Sequence, residues 1–258
     1  MARDERANSR SGSISSDAMK YSPIKITGGH WGGKNWDLLF ARCRPLKHYL
    51  APLLDLYVTT ADQAWRDAKI AVWESTAPRP AQRMEALREC EDGEPRNLIL
   101  YGRLSGSGKT TVACEVILRS VTCPSGAIAF DDEPPLILSG HAFARIVAGQ
   151  ARNLDDLMTE WIAADPLLLD DLDKRGDASG KLSPIVQQTL FELVEARSTD
   201  EYATTILTLN ATGAELEAKF DDDIGPYLLR RLRERFRSID FDPVVQAELN
   251  ILQMKATA

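Results

Sequence analysis

From about residue 97 onward, short apolar runs alternate with stretches of helical periodicity, the pattern of a parallel sheet whose strands are joined by crossover helices. The run Leu98-Ile-Leu-Tyr101 ends at a glycine-rich turn, and residues 111–118 then read as an amphipathic helix. Two short apolar runs, 127–130 and 135–138, flank a proline-containing turn, and one or both are expected as strands. Ser139 is placed to cap a helix over 140–148, and residues 154–163 read as another. Leu167-Leu-Leu169 has the continuous apolar character of a buried strand. Ser183-Pro184 opens a helix running through Glu195, and the β-branched run 203–209 predicts a strand. A last strand, 238–241, follows an arginine-rich helix. The fold expected is α/β, with a parallel sheet flanked by helices.

The first part of the chain has a different texture. Residues 1–20 are polar and serine-rich, with little to bury, and are expected to be a disordered tail. Residues 21–92 are mostly helical in pattern, with Trp65, Ile70 and Trp73 as packing anchors after a capping-box candidate at Thr60-Ala-Asp-Gln63. Pro78 and Pro80 interrupt this region before a helix resumes at 81–90, and a turn over 91–95 leads into the apolar run. A boundary is expected near residue 92, leaving 93–258 as one large domain.

Composition narrows the classes. With 44% hydrophobic residues among 258, the chain can bury a substantial core. The net charge of −7 and pI of about 5.1 provide no global field to attract nucleic acid, so contact with DNA requires a local basic patch or an assembled oligomer. Cys43, Cys90, Cys114 and Cys123 show neither zinc nor disulfide spacing. No apolar run is of membrane-spanning length and no secretory signal core is visible, so the expected location is the cytoplasm, without membrane contact.

The turn after the first strand reads Gly102-Arg-Leu-Ser-Gly-Ser-Gly-Lys-Thr-Thr111. Gly106 and Gly108 can adopt backbone angles closed to other residues, which lets successive N–H groups turn inward around a phosphate at a helix N-terminus. The residues expected to cradle it are Ser105, Gly106, Ser107, Gly108, Lys109, Thr110 and Thr111, with Lys109 reaching the β- and γ-phosphates and Thr110 offering its hydroxyl to Mg²⁺. One position departs from the phosphate-loop signature G-x-x-x-x-G-K-[ST]: Arg103 stands where the first glycine belongs, and Gly102 lies one residue earlier. Either the loop is one residue longer, or Arg103 takes a conformation usually left to glycine.

The strand at 167–169 runs into Asp170 and Asp171. Such a strand can bring Asp170 to the magnesium side of a bound triphosphate, while Asp171 orients or deprotonates the attacking water; Asp173 is a weaker candidate. Asn210, following the strand at 203–209, can hold that water. Residues 230–237 contain five arginines, which form either a solvated face or a surface that presents one guanidinium to the nucleotide of a neighbouring subunit.

Together these segments resemble the AAA+ ATPases of the group containing bacterial helicase loaders (DnaC type) and transposition helper ATPases (IstB type). The resemblance spans 97–241, with 98–111 as Walker A, 167–171 as Walker B, Thr208-Leu-Asn210 as sensor 1, and Leu229-Arg-Arg-Leu232 ahead of the last strand. It implies a five-stranded parallel P-loop NTPase sheet, use of ATP and Mg²⁺, catalytic roles for Asp171 and Asn210, and an arginine finger at Arg231 with Arg230 in reserve. It also implies self-association into a ring or spiral on single-stranded DNA, with a replicative helicase, or a transposase, as partner. The 17 residues after Phe241 suggest a minimal or absent lid. The rival classes are a small-molecule kinase sharing only the phosphate loop, and an adaptor that holds ATP without hydrolysing it.

Overall fold

A computed structural model describes residues 42, 53, 79–91, 97–121, 134–149, 153–173, 181–199, 203–220 and 223–242, all within the compact unit Trp31–Ala258. In chain order the elements are α1 (Pro80–Glu91), β1 (Asn97–Tyr101), α2 (Lys109–Val121), β2 (Leu136–Ser139), α3 (Gly140–Gly149), α4 (Leu154–Ala163), β3 (Leu167–Asp170), α5 (Pro184–Ser198), β4 (Thr205–Leu209), α6 (Gly213–Glu217), α7 (Gly225–Arg235) and β5 (Phe236–Asp240). The expected strand at 127–130, the tail, most of the helical N-terminal region and the stretch where a lid was sought lie outside the described residues.

The five strands form one sheet in the order β2-β3-β4-β1-β5, and every pairing is parallel. Because side chains alternate across a strand, neighbouring leucines serve opposite faces. Leu98, Leu100, Leu168 and Ile206 join α2 and the Ala86 and Leu87 side chains of α1 in one cluster. Ile99, Leu167, Leu169 and Leu207 join Phe143, Trp161, Leu190 and Leu228, from the helices of the opposite face, in the other. All four residues of β3 are buried, whereas in the edge strand β5 Arg237 and Ser238 remain exposed. The last strand begins two residues earlier than its apolar pattern suggests, so Arg237 belongs to β5, where it pairs with Glu85 at 2.9 Å, rather than to the arginine-rich helix.

Helix starts follow local chemistry. Proline stands in the first turn of α5 and of α7, where its missing N–H costs nothing, and the Ser139 hydroxyl accepts the Ala142 N–H at 3.1 Å to cap α3. Helix α1 lies just upstream of the boundary expected near residue 92, and its Ala86 and Leu87 side chains share a cluster with α2. Arg83 of α1 and Glu115 of α2 are buried to 1% and 0% exposure and form a two-pronged ion pair, so α1 packs with the domain downstream.

Arg197, 1% exposed, fastens the back of the sheet. Its guanidinium donates to the carbonyls of Trp161, Ile162 and Ala164 at the end of α4, to Thr204 O at 2.8 Å, and to Thr205 Oγ1 at 2.8 Å. A cation at a helix C-terminus satisfies carbonyls that no later turn can reach. Arg197→Met leaves those buried acceptors unpaired and is expected to cost about 3 kcal/mol. In thermal unfolding the midpoint should fall by roughly 10 °C; an unchanged midpoint would show that the clamp contributes nothing.

Candidate functional site

All five strands run the same way, so their carboxyl ends gather at one edge. Register places Tyr101 beside Leu209 on one flank and Asp240 on the other, and Asp170 beside Ser139. The segments singled out in the sequence all emerge here: the glycine-rich loop from β1, the acidic pair from β3, and Asn210 from β4. Ligands of such sheets lie along this edge.

The loop is bent by its glycines. Gly106 and Gly108 have φ values of +80° and +97°, a region that side chains strongly disfavour. Among the described residues Arg103 is not one of the non-glycine residues with positive φ; the unusual angle falls on Gly102, at +156°. A Cβ on Gly102 would come within 2.8 Å of Asp242 Oδ1. The departure at Arg103 is thus resolved as a loop one residue longer, with Gly102 in the role of first glycine.

Lys109 is 4% exposed and folds back over the loop, donating to Gly102 O at 2.9 Å, Leu104 O at 3.0 Å and Ser107 Oγ at 3.0 Å. A buried ammonium centred in a ring of loop oxygens stands where an anion enclosed by the loop would meet it. Ser105 and Gly106 are exposed on the outer wall, while Ser107 is buried. The Val112 N–H donates to Gly108 O at 2.9 Å, so the amides of 109–111 are those of the first helical turn, which have no acceptor within the helix.

The acidic pair is held by β4. Asp170, 4% exposed, accepts from the Thr110 hydroxyl at 2.7 Å and from the Thr208 hydroxyl at 2.7 Å, and Thr208 Oγ1 in turn accepts the Asp171 N–H at 2.8 Å. Asp171 has φ of +54°, an angle rare for a residue with a side chain and one that clusters at functional sites. Its Oδ1 accepts from Asn210 Nδ2 at 2.7 Å. Thr110 and Asp170 set a hydroxyl and a carboxylate oxygen side by side, an oxygen-only pair suited to Mg²⁺ that also takes phosphate oxygens and water.

Three supports take their roles from the tertiary fold. Thr208, part of the sensor 1 segment of the resemblance, donates to Asp170 once the strands pair. Asp173, 3% exposed, accepts the Asn210 N–H at 2.8 Å and so fixes the start of the Asn210 turn. Gly140 is required by proximity: a Cβ there would lie 2.5 Å from Leu172 Cα and 2.6 Å from Asp171 O. These contacts form only when the strands pair and α3 packs against the turn after β3.

Arg231 lies apart from this cluster. On α7 it pairs with Glu195 of α5 and with Glu234 at 3.1 Å, and hydrogen bonding to Glu195 raises its pKa. Arg230 is 61% exposed on its side chain, with Glu234 3.7 Å away. Among the described residues no helix is long and apolar enough to cross a membrane.

No protein-family model matches the chain, and no curated protein matches it in sequence. Solved structures do. The crystal structure of DnaI superposes with a TM-score of 0.50 at 17% identity, covering 65% of this chain and 88% of that one. The DnaC helicase loader gives a TM-score of 0.45 at 17% identity, covering 75% of this chain and 98% of that one. The fold is accordingly an α/β fold shared with DnaI, a five-stranded parallel sheet flanked by helices, as the pattern of strands and helices in the sequence suggested.

Proposed function

We propose that this chain binds ATP with Mg²⁺ at the carboxyl edge of the sheet and hydrolyses it as an assembling AAA+ protein on single-stranded DNA, where it helps to load a replicative helicase. The observation that carries the nucleotide part is the 2.7 Å contact between Thr110, directly after the phosphate-loop lysine, and Asp170 at the end of β3. Two segments 60 residues apart thereby form one site with a hydroxyl, a carboxylate and a buried ammonium.

Lys109 and the amides of 106–111 would hold the phosphates, and Thr110 with Asp170 would hold the metal, which neutralises phosphate charge when bound. Asp171 is set to orient a water and take up its proton, and Asn210 to hold that water in line. Asp173 and Thr208 fix the backbone N–H groups of Asn210 and Asp171, which matters because a displacement of about 1 Å can cost on the order of 100-fold in rate. The helicase-loading part rests on the likeness of the motifs to the DnaC-type group, and residues 21–92 are the region proposed to meet the partner.

Arg231 is proposed to complete the site of a neighbouring subunit. Engaged by Glu195 within its own chain, it must exchange that partner for a triphosphate when subunits assemble. Specific ATPase activity should therefore climb with protein concentration and with added single-stranded DNA. Arg231→Ala should bind ATP normally and lose about 10³-fold in turnover. Normal hydrolysis by Arg231→Ala together with loss in Arg230→Ala would move the role to Arg230; a specific activity independent of concentration would instead favour a monomeric kinase.

A further inference from the structure

The phosphate loop carries a charge that the reaction outlined above does not use. Arg103 lies between Gly102 and Leu104, whose carbonyls both accept from Lys109 Nζ, so its backbone borders the position assigned to the phosphates. Its own N–H donates to Asp242 Oδ2 at 2.9 Å, anchoring the main chain. The guanidinium, 63% exposed on its side chain, reaches across to α6 and pairs with Glu215 Oε1 at 3.0 Å. Glu215 serves two partners with different oxygens: Oε2 accepts from the Thr212 N–H at 2.8 Å and from the Thr212 hydroxyl at 2.9 Å, which completes its side of a capping box, while Oε1 faces Arg103. Thr212 stands two residues after Asn210, so this contact joins the phosphate loop to the turn that carries the water-holding amide.

We propose that Arg103 is a latch over the nucleotide site, held by Glu215 when the site is empty and drawn to the triphosphate when ATP binds. The inference rests on the nucleotide reading given above. Both partners are exposed, so their bond is weak and screened, and a polyphosphate is a stronger acceptor for a guanidinium than a single carboxylate. Whatever the nucleotide gains from Arg103 it must take from Glu215, and a ligand shifts an equilibrium only by its differential interaction with the two states. Loop charge and α6 are thereby coupled: ATP frees the helix that follows Asn210, and loss of the triphosphate restores the tie. The same logic explains why an arginine can stand beside the first glycine of the loop. Gly102 meets the steric demand at Asp242, which leaves position 103 free to carry a side chain.

The capping geometry supplies a clean test. Glutamine at 215 can still accept from Thr212 through its carbonyl, since capping boxes use Glu or Gln alike, but it turns an uncharged amide toward Arg103. Glu215→Gln therefore removes the latch and keeps the cap. Affinity for a fluorescent N-methylanthraniloyl ATP is the primary readout, with amide hydrogen exchange at 213–217 as a second that requires no turnover. Competition predicts opposite signs: Glu215→Gln tightens ATP about two- to fivefold, the range an exposed ion pair allows, and Arg103→Gly weakens it about three- to tenfold. The double variant should match Arg103→Gly, Arg103→Lys should recover part of the affinity, and high salt should erase the Glu215→Gln gain. Added ATP should speed exchange at 213–217 in the wild type and leave the Glu215→Gln rate, already fast, unchanged. If Glu215→Gln weakens ATP as Arg103→Gly does, or leaves affinity unaltered, the contact is a fixed brace or a bystander and the latch is wrong. If the wild type binds no ATP, the nucleotide reading itself falls, a result separate from either of those.

Discussion

Lys109→Ala is expected to abolish ATP binding in a direct titration, with affinity falling by at least about 100-fold. Two charge-assisted contacts to a triphosphate are together worth roughly 3 kcal/mol or more, and of the buried cations among the described residues, Arg83, Lys109 and Arg197, it is Lys109 that donates to the loop. The substitution also removes the donor that Gly102 O, Leu104 O and Ser107 Oγ share, so its thermal midpoint should be followed alongside. A folded Lys109→Ala protein that binds ATP as the wild type does would exclude the loop as the phosphate site.

Asp171→Asn carries the second large effect, and it should separate binding from chemistry. Asparagine keeps the size of the side chain and can still accept from Asn210 Nδ2, so nucleotide affinity should stay within about threefold of the wild type. It cannot take a proton from water, and turnover should fall by about 10²- to 10⁴-fold in a steady-state phosphate-release assay. The φ of +54° at this position adds a second reason to expect little disturbance, because asparagine tolerates the left-handed region better than most residues. Equal loss of affinity and turnover would mean that Asp171 serves the metal, and would exchange its role with that of Asp170.

The contrast between those two aspartates shows how far the sequence can be read. Periodicity and motif spacing are local properties, and they located the strand before the loop, the helix after it, the acidic end of β3 and the strand leading to Asn210. Element ends were less legible. β5 starts at Phe236 rather than two residues later because its pairing with Asn97 of β1, and not its hydropathy, decides where the ladder begins. Arg237 consequently leaves the arginine cluster for a strand edge facing α1. The contacts of Thr208, Asp173 and Gly140 were not legible for the same reason: each acts through a neighbour 37 or more residues away in sequence, or through a backbone approach under 3 Å, and neither leaves a local signature. Arg103 was legible as an anomaly but not as a contact, since its partner Glu215 belongs to a short helix that the hydrophobic pattern does not reveal.

The two-pronged Arg83–Glu115 pair adds a point about organisation. A buried pair of this kind is strongly destabilised when one partner is removed, and here it ties α1 to α2, the helix that begins at Lys109.

The most direct test of the whole account is a crystal structure of the protein grown with a non-hydrolysable ATP analogue and Mn²⁺, the metal located by its anomalous signal. The account predicts the triphosphate against the amides of 106–111, with the anomalous peak between Thr110 and Asp170. A nucleotide seated elsewhere, or a metal peak distant from both oxygens, would contradict it.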